Sequence, residues 1–227
     1  FLDGAGNAER LVSDLSPPIS GPRVFQSVGG TDTPTRIADD ATIIAGQRAW
    51  PSIAALTDGG FVVSGTSSHA PPLLKSYYEL NRFDAAGGNS GSPDISFPGV
   101  TFFWGQFGET RNSVVGLNSG GFAFAYEMGH MFDRHVVVRA YDSASHQIGS
   151  NPSYTTKPST FAQFDPQLSP FPDKSGFAGI WSSYLQDGDG HGSYFKKFRT
   201  NGTALDFFDI QPYRNSAGGQ LEARIAM

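Results

Sequence analysis

The chain has 227 residues, a formal net charge of −5, no cysteine, and 28 glycines and 15 prolines beside 30 aromatics. Aromatics at 13% exclude a disordered chain, the aperiodic glycines exclude collagen, and the missing cysteines exclude disulfide frameworks and thiolate metal sites. No basic stripe suggests a nucleic-acid partner and no apolar run is long enough to cross a membrane, so the composition predicts an all-β chain of short strands and turns.

From the N-terminus, Ala5–Leu15 has the only helical spacing, and Pro17-Pro18 stops it. Ser20–Gly46, with Gly29-Gly-Thr-Asp-Thr-Pro34, reads as an insertion of about 24 residues forming a loop or an extra hairpin. Next come three stretches with one pattern: 51–64 (PSIAALTDGGFVVS), 112–125 (NSVVGLNSGGFAFA) and, more loosely, 166–181 (PQLSPFPDKSGFAGIW). Each is an apolar run, a Gly-containing turn, and an aromatic that opens a second apolar run, which is the sequence form of a β-hairpin. Each is followed by an aromatic and a polar turn, in 81–88 (NRFDAAGG), 139–145 (RAYDSAS) and 197–203 (KFRTNGT).

The opening aromatics Phe61, Phe122 and Phe177 are 61 and 55 residues apart, and the closing Phe83, Tyr141 and Phe198 are 58 and 57 apart. Two landmarks with one spacing indicate a repeat of about 57 residues, long enough for four strands. In the first unit these fall near Ile53–Leu56, Phe61–Ser64, Tyr77–Phe83 and Val100–Trp104. One small sheet cannot bury both faces, so the units should stack or form a ring. The expected architecture is a β-propeller-like array of four-stranded antiparallel sheets. Residues 220–227 resemble the first strand of a unit and Phe1–Asn7 the close of one, so both ends are expected to hold incomplete units. The division is 1–50 (partial unit plus insertion), 51–110, 111–165 and 166–219 (three units) and 220–227 (first strand of a further unit), all in one domain. Such a chain is either a fragment of a longer repeat protein or a protomer completed by its neighbours.

These motifs resemble the tandem repeats of large secreted bacterial surface proteins that carry RTX or cadherin-like modules. The resemblance rests on Thr57-Asp-Gly-Gly-Phe-Val-Val63, on Trp181-Ser-Ser183 with Gln186-Asp-Gly-Asp-Gly-His-Gly192, and on Arg82-Phe-Asp-Ala-Ala-Gly87 and Phe198-Arg-Thr-Asn-Gly-Thr203. It covers about residues 51–210, and the second unit departs from the pattern over Met128–Arg134. It implies a propeller-like repeat at the cell exterior, in adhesins or surface assemblies.

Chemistry is sparse. Asp187 and Asp189, spaced by glycine, are the best candidates for a Ca²⁺ site. An EF-hand loop from Asp187 would place Phe198 where a bidentate acid is needed, and a hairpin turn is the simpler reading. None of the five histidines has metalloenzyme spacing, and His130 and His135 flank a turn. Neither a Gly-x-Ser-x-Gly elbow nor a phosphate-binding loop occurs. Acid pairs for glycoside hydrolysis would come from Asp58, Glu79, Glu109, Glu127, Asp165 and Asp173. Asp58 reads as a turn residue, and Glu79 and Glu127 as exposed strand acids. Asn201-Gly-Thr203 fits a glycosylation sequon but also an ideal hairpin turn. Trp104, Trp181 and Tyr184, with Tyr77 and Tyr78, could stack on sugar rings, although aromatics on alternating strand positions more often build the core between sheets.

The expectation is therefore a non-enzymatic extracellular or surface structural repeat that self-assembles or adheres through copies of itself or neighbouring chains, with unpaired edges open to strand addition. The alternatives are a glycan-binding module and a fragment of a propeller glycosidase.

Overall fold

The computed structural model describes residues 25–26, 35–36, 48–68, 75–88, 95–101, 111–130, 133–154, 162–173, 175–186, 188–206, 209–212 and 224–225. The helix-spaced stretch Ala5–Leu15 lies outside them, as do Trp104 and Asp187. The chain divides into two compact units, Phe1–Thr42 and Ile43–Met227. In the first, β1 (Phe25–Gln26) and β2 (Thr35–Arg36) form a two-stranded antiparallel pair within the expected insertion.

The second unit is all-β among the described residues and holds three antiparallel meanders, none of them closed. The first sheet runs β3 (Arg48–Ala55), β4 (Phe61–Ser68), β5 (Lys75–Phe83) and β6 (Ile95–Thr101). The second runs β7 (Asn112–Gly116), β8 (Phe122–His130), β9 (Asp133–Tyr141) and β10 (Gln147–Tyr154). The third runs β11 (Gln163–Pro170), β12 (Gly176–Tyr184) and β13 (His191–Arg199). β7 pairs with β8 only as far as Tyr126, and β6 uses the edge left beyond it in a parallel contact at Gly129 and His130.

The two repeat landmarks are cross-strand partners. Phe61 lies opposite Phe83, Phe122 opposite Tyr141 and Phe177 opposite Phe198. Each pair is stacked, with ring centroids 4.9, 4.7 and 5.2 Å apart. The turns recur as well. In the hairpins before Phe61 and Phe122, Gly59 and Gly120 have φ of +84° and +80°, a conformation that costs a side chain with a Cβ energy. The glycine directly before each aromatic answers a different need. A Cβ on Gly60, Gly121 or Gly176 would collide with the main-chain oxygen of Phe83, Tyr141 or Phe198. The Gly-Gly-Phe signature is thus one glycine for backbone sign and one for the approach of the neighbouring strand.

Burial follows strand alternation. Phe122, Phe124 and Tyr126 of β8 point toward the first sheet and form a core with Leu56, Val62, Tyr78 and Leu80. Ala123 and Ala125 point the other way and, being small, admit Phe177 and Phe198 of the third sheet. The first strands β3, β7 and β11 pack side by side. Equivalent serines tie them together: Ser52 Oγ accepts the Val114 N–H at 3.2 Å, and Ser113 Oγ accepts the Leu168 N–H at 3.0 Å. Asn112 is a further tie, donating to Thr66 Oγ1 at 3.2 Å and accepting from Ser64 Oγ. Arg82 crosses from the first sheet to accepting oxygens on Asp58 and on the Ser143 backbone.

Candidate functional site

β3 and β11 both break register beside a proline that has no N–H to give, between Ala49 and Ser52 and between Phe164 and Gln167. In β11 the break throws Asp165 into a left-handed conformation, φ 58°, which is uncommon for a residue other than glycine. Its N–H leaves the ladder and must find another acceptor. Glu127 supplies one.

Glu127 lies on β8 on the same face as Ala123 and Ala125, one step past the small residues that admit the third sheet. It is completely buried, 0% exposed. Oε1 accepts the Asp165 N–H at 3.0 Å and the Arg111 N–H at 3.2 Å. Oε2 accepts Arg134 Nη1 at 3.0 Å, from a diagonal cross-strand position on β9. The Glu127 N–H donates to Tyr78 Oη of the first sheet at 3.2 Å. One residue therefore reaches all three sheets. Arg111 Nε and Asp165 Oδ1 form a neighbouring ion pair at 3.2 Å. Loss of hydration raises the Glu127 carboxyl to about 7, against the pull of Arg134 and the two amides. The reading of Glu127 as an exposed strand acid is corrected here. Its neighbours on β8 are buried on both faces, because the first sheet packs on one face of this strand and the third sheet on the other.

Above this cluster the Arg134 guanidinium lies 5.8 Å from the Phe164 ring centre. His191 makes an edge contact with Phe164 at 5.2 Å and a tilted one with Tyr184 at 4.9 Å. Tyr184 is 44% exposed. Trp181, by contrast, is 1% exposed and packs with Val136 and Tyr194 between the second and third sheets. Trp181 and Tyr184 sit on opposite faces of β12, so the structure does not bring them together. Asp189 is exposed, and no group of three metal-ligating acids or histidines occurs among the described residues.

Asp58 is a turn residue, as its position suggested. Its Oδ1 accepts the Gly60 N–H at 2.9 Å and Oδ2 meets Arg82, and these contacts hold the carboxyl below its ordinary range. Asp173 likewise accepts the Ser175 N–H. His135 pairs with Asp133 at 3.0 Å. Sequence reasoning missed a second buried ion pair, Lys196 Nζ to Asp209 Oδ1 at 2.8 Å, with Gln186 donating to Oδ2 at 2.9 Å. Sequence alone would place the Lys196-Lys197 cluster with Arg199 on a solvated strand face, but the Lys196 side chain is only 6% exposed. The missing signal was Asp209, which reaches β13 through the Phe195–Ile210 bridge.

No protein-family model matches the chain, and comparison with curated proteins finds no match.

Proposed function

We propose that the chain is a propeller-like array of sheets serving as a non-enzymatic structural repeat at the cell exterior, associating with copies of itself or with neighbouring chains. The observation that carries this reading is the use made of the buried polar groups. Ser52, Ser113, Asn112, Arg82 and Glu127 all join one sheet to the next, and Glu127 accepts main-chain N–H groups where a hydrolase would hold substrate. Side-by-side first strands are what the inner strands of neighbouring blades would form, and the resemblance of the turn motifs to bacterial surface repeats supports the location.

The outer edge of β13 argues for association through faces rather than strand addition there. Bridges to Ala204 and Ile210 occupy it, and the Asp206 carboxylate accepts the Lys197 N–H at 3.0 Å. Light scattering of the full chain over a concentration series tests the reading. A mass that rises with concentration is expected, and a constant monomer mass overturns it.

The half-exposed Tyr184 ring beside His191 favours a glycan-binding module as the second reading. A glycan array returning ligands that Tyr184→Ala no longer binds would replace the first proposal with this one.

A further inference from the structure

We propose that the chain docks head to tail on a second copy of itself, with β3 of one copy lying beside β11 of the next and continuing the row β3, β7, β11. This contact deepens the self-association proposed above and rests on it, naming the surface on each copy.

The three hairpins share one register. Ile53 lies opposite Val63, Val114 opposite Phe124 and Leu168 opposite Gly179. Three residues further on, the N–H groups of Leu56, Leu117 and Phe171 donate within their own hairpins, to the carbonyls of Gly60, Gly121 and Gly176. Direction alternates along an antiparallel strand, so the N–H groups of Ile53, Val114 and Leu168 are turned out of their own ladders. Two of these three are met inside the chain. Ser52 Oγ accepts the Val114 N–H at 3.2 Å, and Ser113 Oγ accepts the Leu168 N–H at 3.0 Å. Their side chains are covered at the same junctions: Val114 is 6% exposed in the core with Leu56, and Leu168 packs against the cluster of Phe177 and Phe198.

Ile53 holds the same register position and is 44% exposed. Pro51 and Ala55 beside it are exposed as well. At the other end of the row, Gln167 lies opposite Ile180 as Ser52 lies opposite Ser64 and Ser113 opposite Ala125. The half-buried Gln167 side chain leaves the same face as those serines and ends in an amide oxygen able to accept an N–H. One end of the row therefore presents an outward N–H and an apolar side chain, and the other presents the acceptor. A second copy carries the matching half of each by construction, whereas an unrelated partner would have to reproduce both.

The contact is heterologous, because β3 meets β11 and not another β3, so it can be repeated from copy to copy. It is confined to the first strands. Phe61 and Val63 beyond Ile53, and Ala178 and Ile180 beyond Gln167, are already buried within the chain. Such a small interface gives weak association that grows with concentration.

Sedimentation velocity of the full chain over a concentration series tests the contact. Ile53→Lys and Gln167→Lys should each weaken association about tenfold or more, by setting a charge into it. Leu205→Lys, which alters an equally exposed apolar residue elsewhere, should leave association unchanged. A head-to-tail contact also predicts complementation. Mixing the Ile53→Lys and Gln167→Lys chains leaves one intact β3 surface and one intact β11 surface, and should give a dimer and nothing larger. A wild-type chain that stays monomeric overturns this inference together with the self-association reading. Wild-type association that survives either lysine substitution, or that falls equally in Leu205→Lys, overturns the docking alone, as does a mixture that forms no dimer. If Gln167→Lys does not fold, Gln167→Met, which keeps the length and removes the acceptor, takes its place with the same expected outcomes.

Discussion

A carboxylate that accepts two amide N–H groups and a guanidinium would titrate low if water reached it, and Glu127 titrates high because none does. Two predictions belong at the scale of this residue. Glu127→Ala should cost about 3–5 kcal/mol in urea unfolding, because it strands two buried donors and a guanidinium together. The wild-type chain should lose the Glu127 contribution as pH rises from 4.5 through about 7, and Glu127→Gln should flatten that part of the profile. Unfolding midpoints measured in pH steps check both. Asp58 was legible from sequence and Glu127 was not. A turn carboxylate is placed by its own dipeptide, whereas Glu127 is placed by Arg111, 16 residues away, and Asp165, 38 away.

The hairpin is the element on which the fold repeats. Its two glycines have separate duties and separate penalties. Gly120→Ala should cost about 1–2 kcal/mol for the left-handed backbone. Gly121→Ala should cost more, about 3 kcal/mol, because the strand carrying the Tyr141 carbonyl must retreat and part the Phe122–Tyr141 stack. Thermal unfolding of the two variants side by side checks the order, and a reversed order would reject this division of labour. Ser113→Ala should cost about 1–3 kcal/mol, since it leaves the Leu168 N–H between β7 and β11 without its acceptor. The turns and the positions of the recurring aromatics were readable because they obey short-range steric rules. The Lys196–Asp209 pair was not readable, since its acid follows the third sheet at a distance set by an irregular connection.

Across the whole second unit, ties run from sheet to sheet at several depths: serines between first strands, Arg82 between turns, Glu127 at the far end of β8. Such coupling predicts that residues 43–227 unfold in one cooperative transition, with calorimetric and van't Hoff enthalpies in agreement. Two resolved transitions within that unit would mean that the sheets are held together less firmly than their bonds imply.

By itself the sequence determined the class, the period and the positions of the turns, because glycine, proline and aromatic placement acts through local sterics and strand alternation. It also identified the residues that stack, without saying that Phe61 meets Phe83 or that Phe177 meets Phe198. Only the tertiary structure decided which polar groups lie in the dry junctions. Burial depends on every segment that covers a site, and the groups that cover Glu127 come from all three sheets.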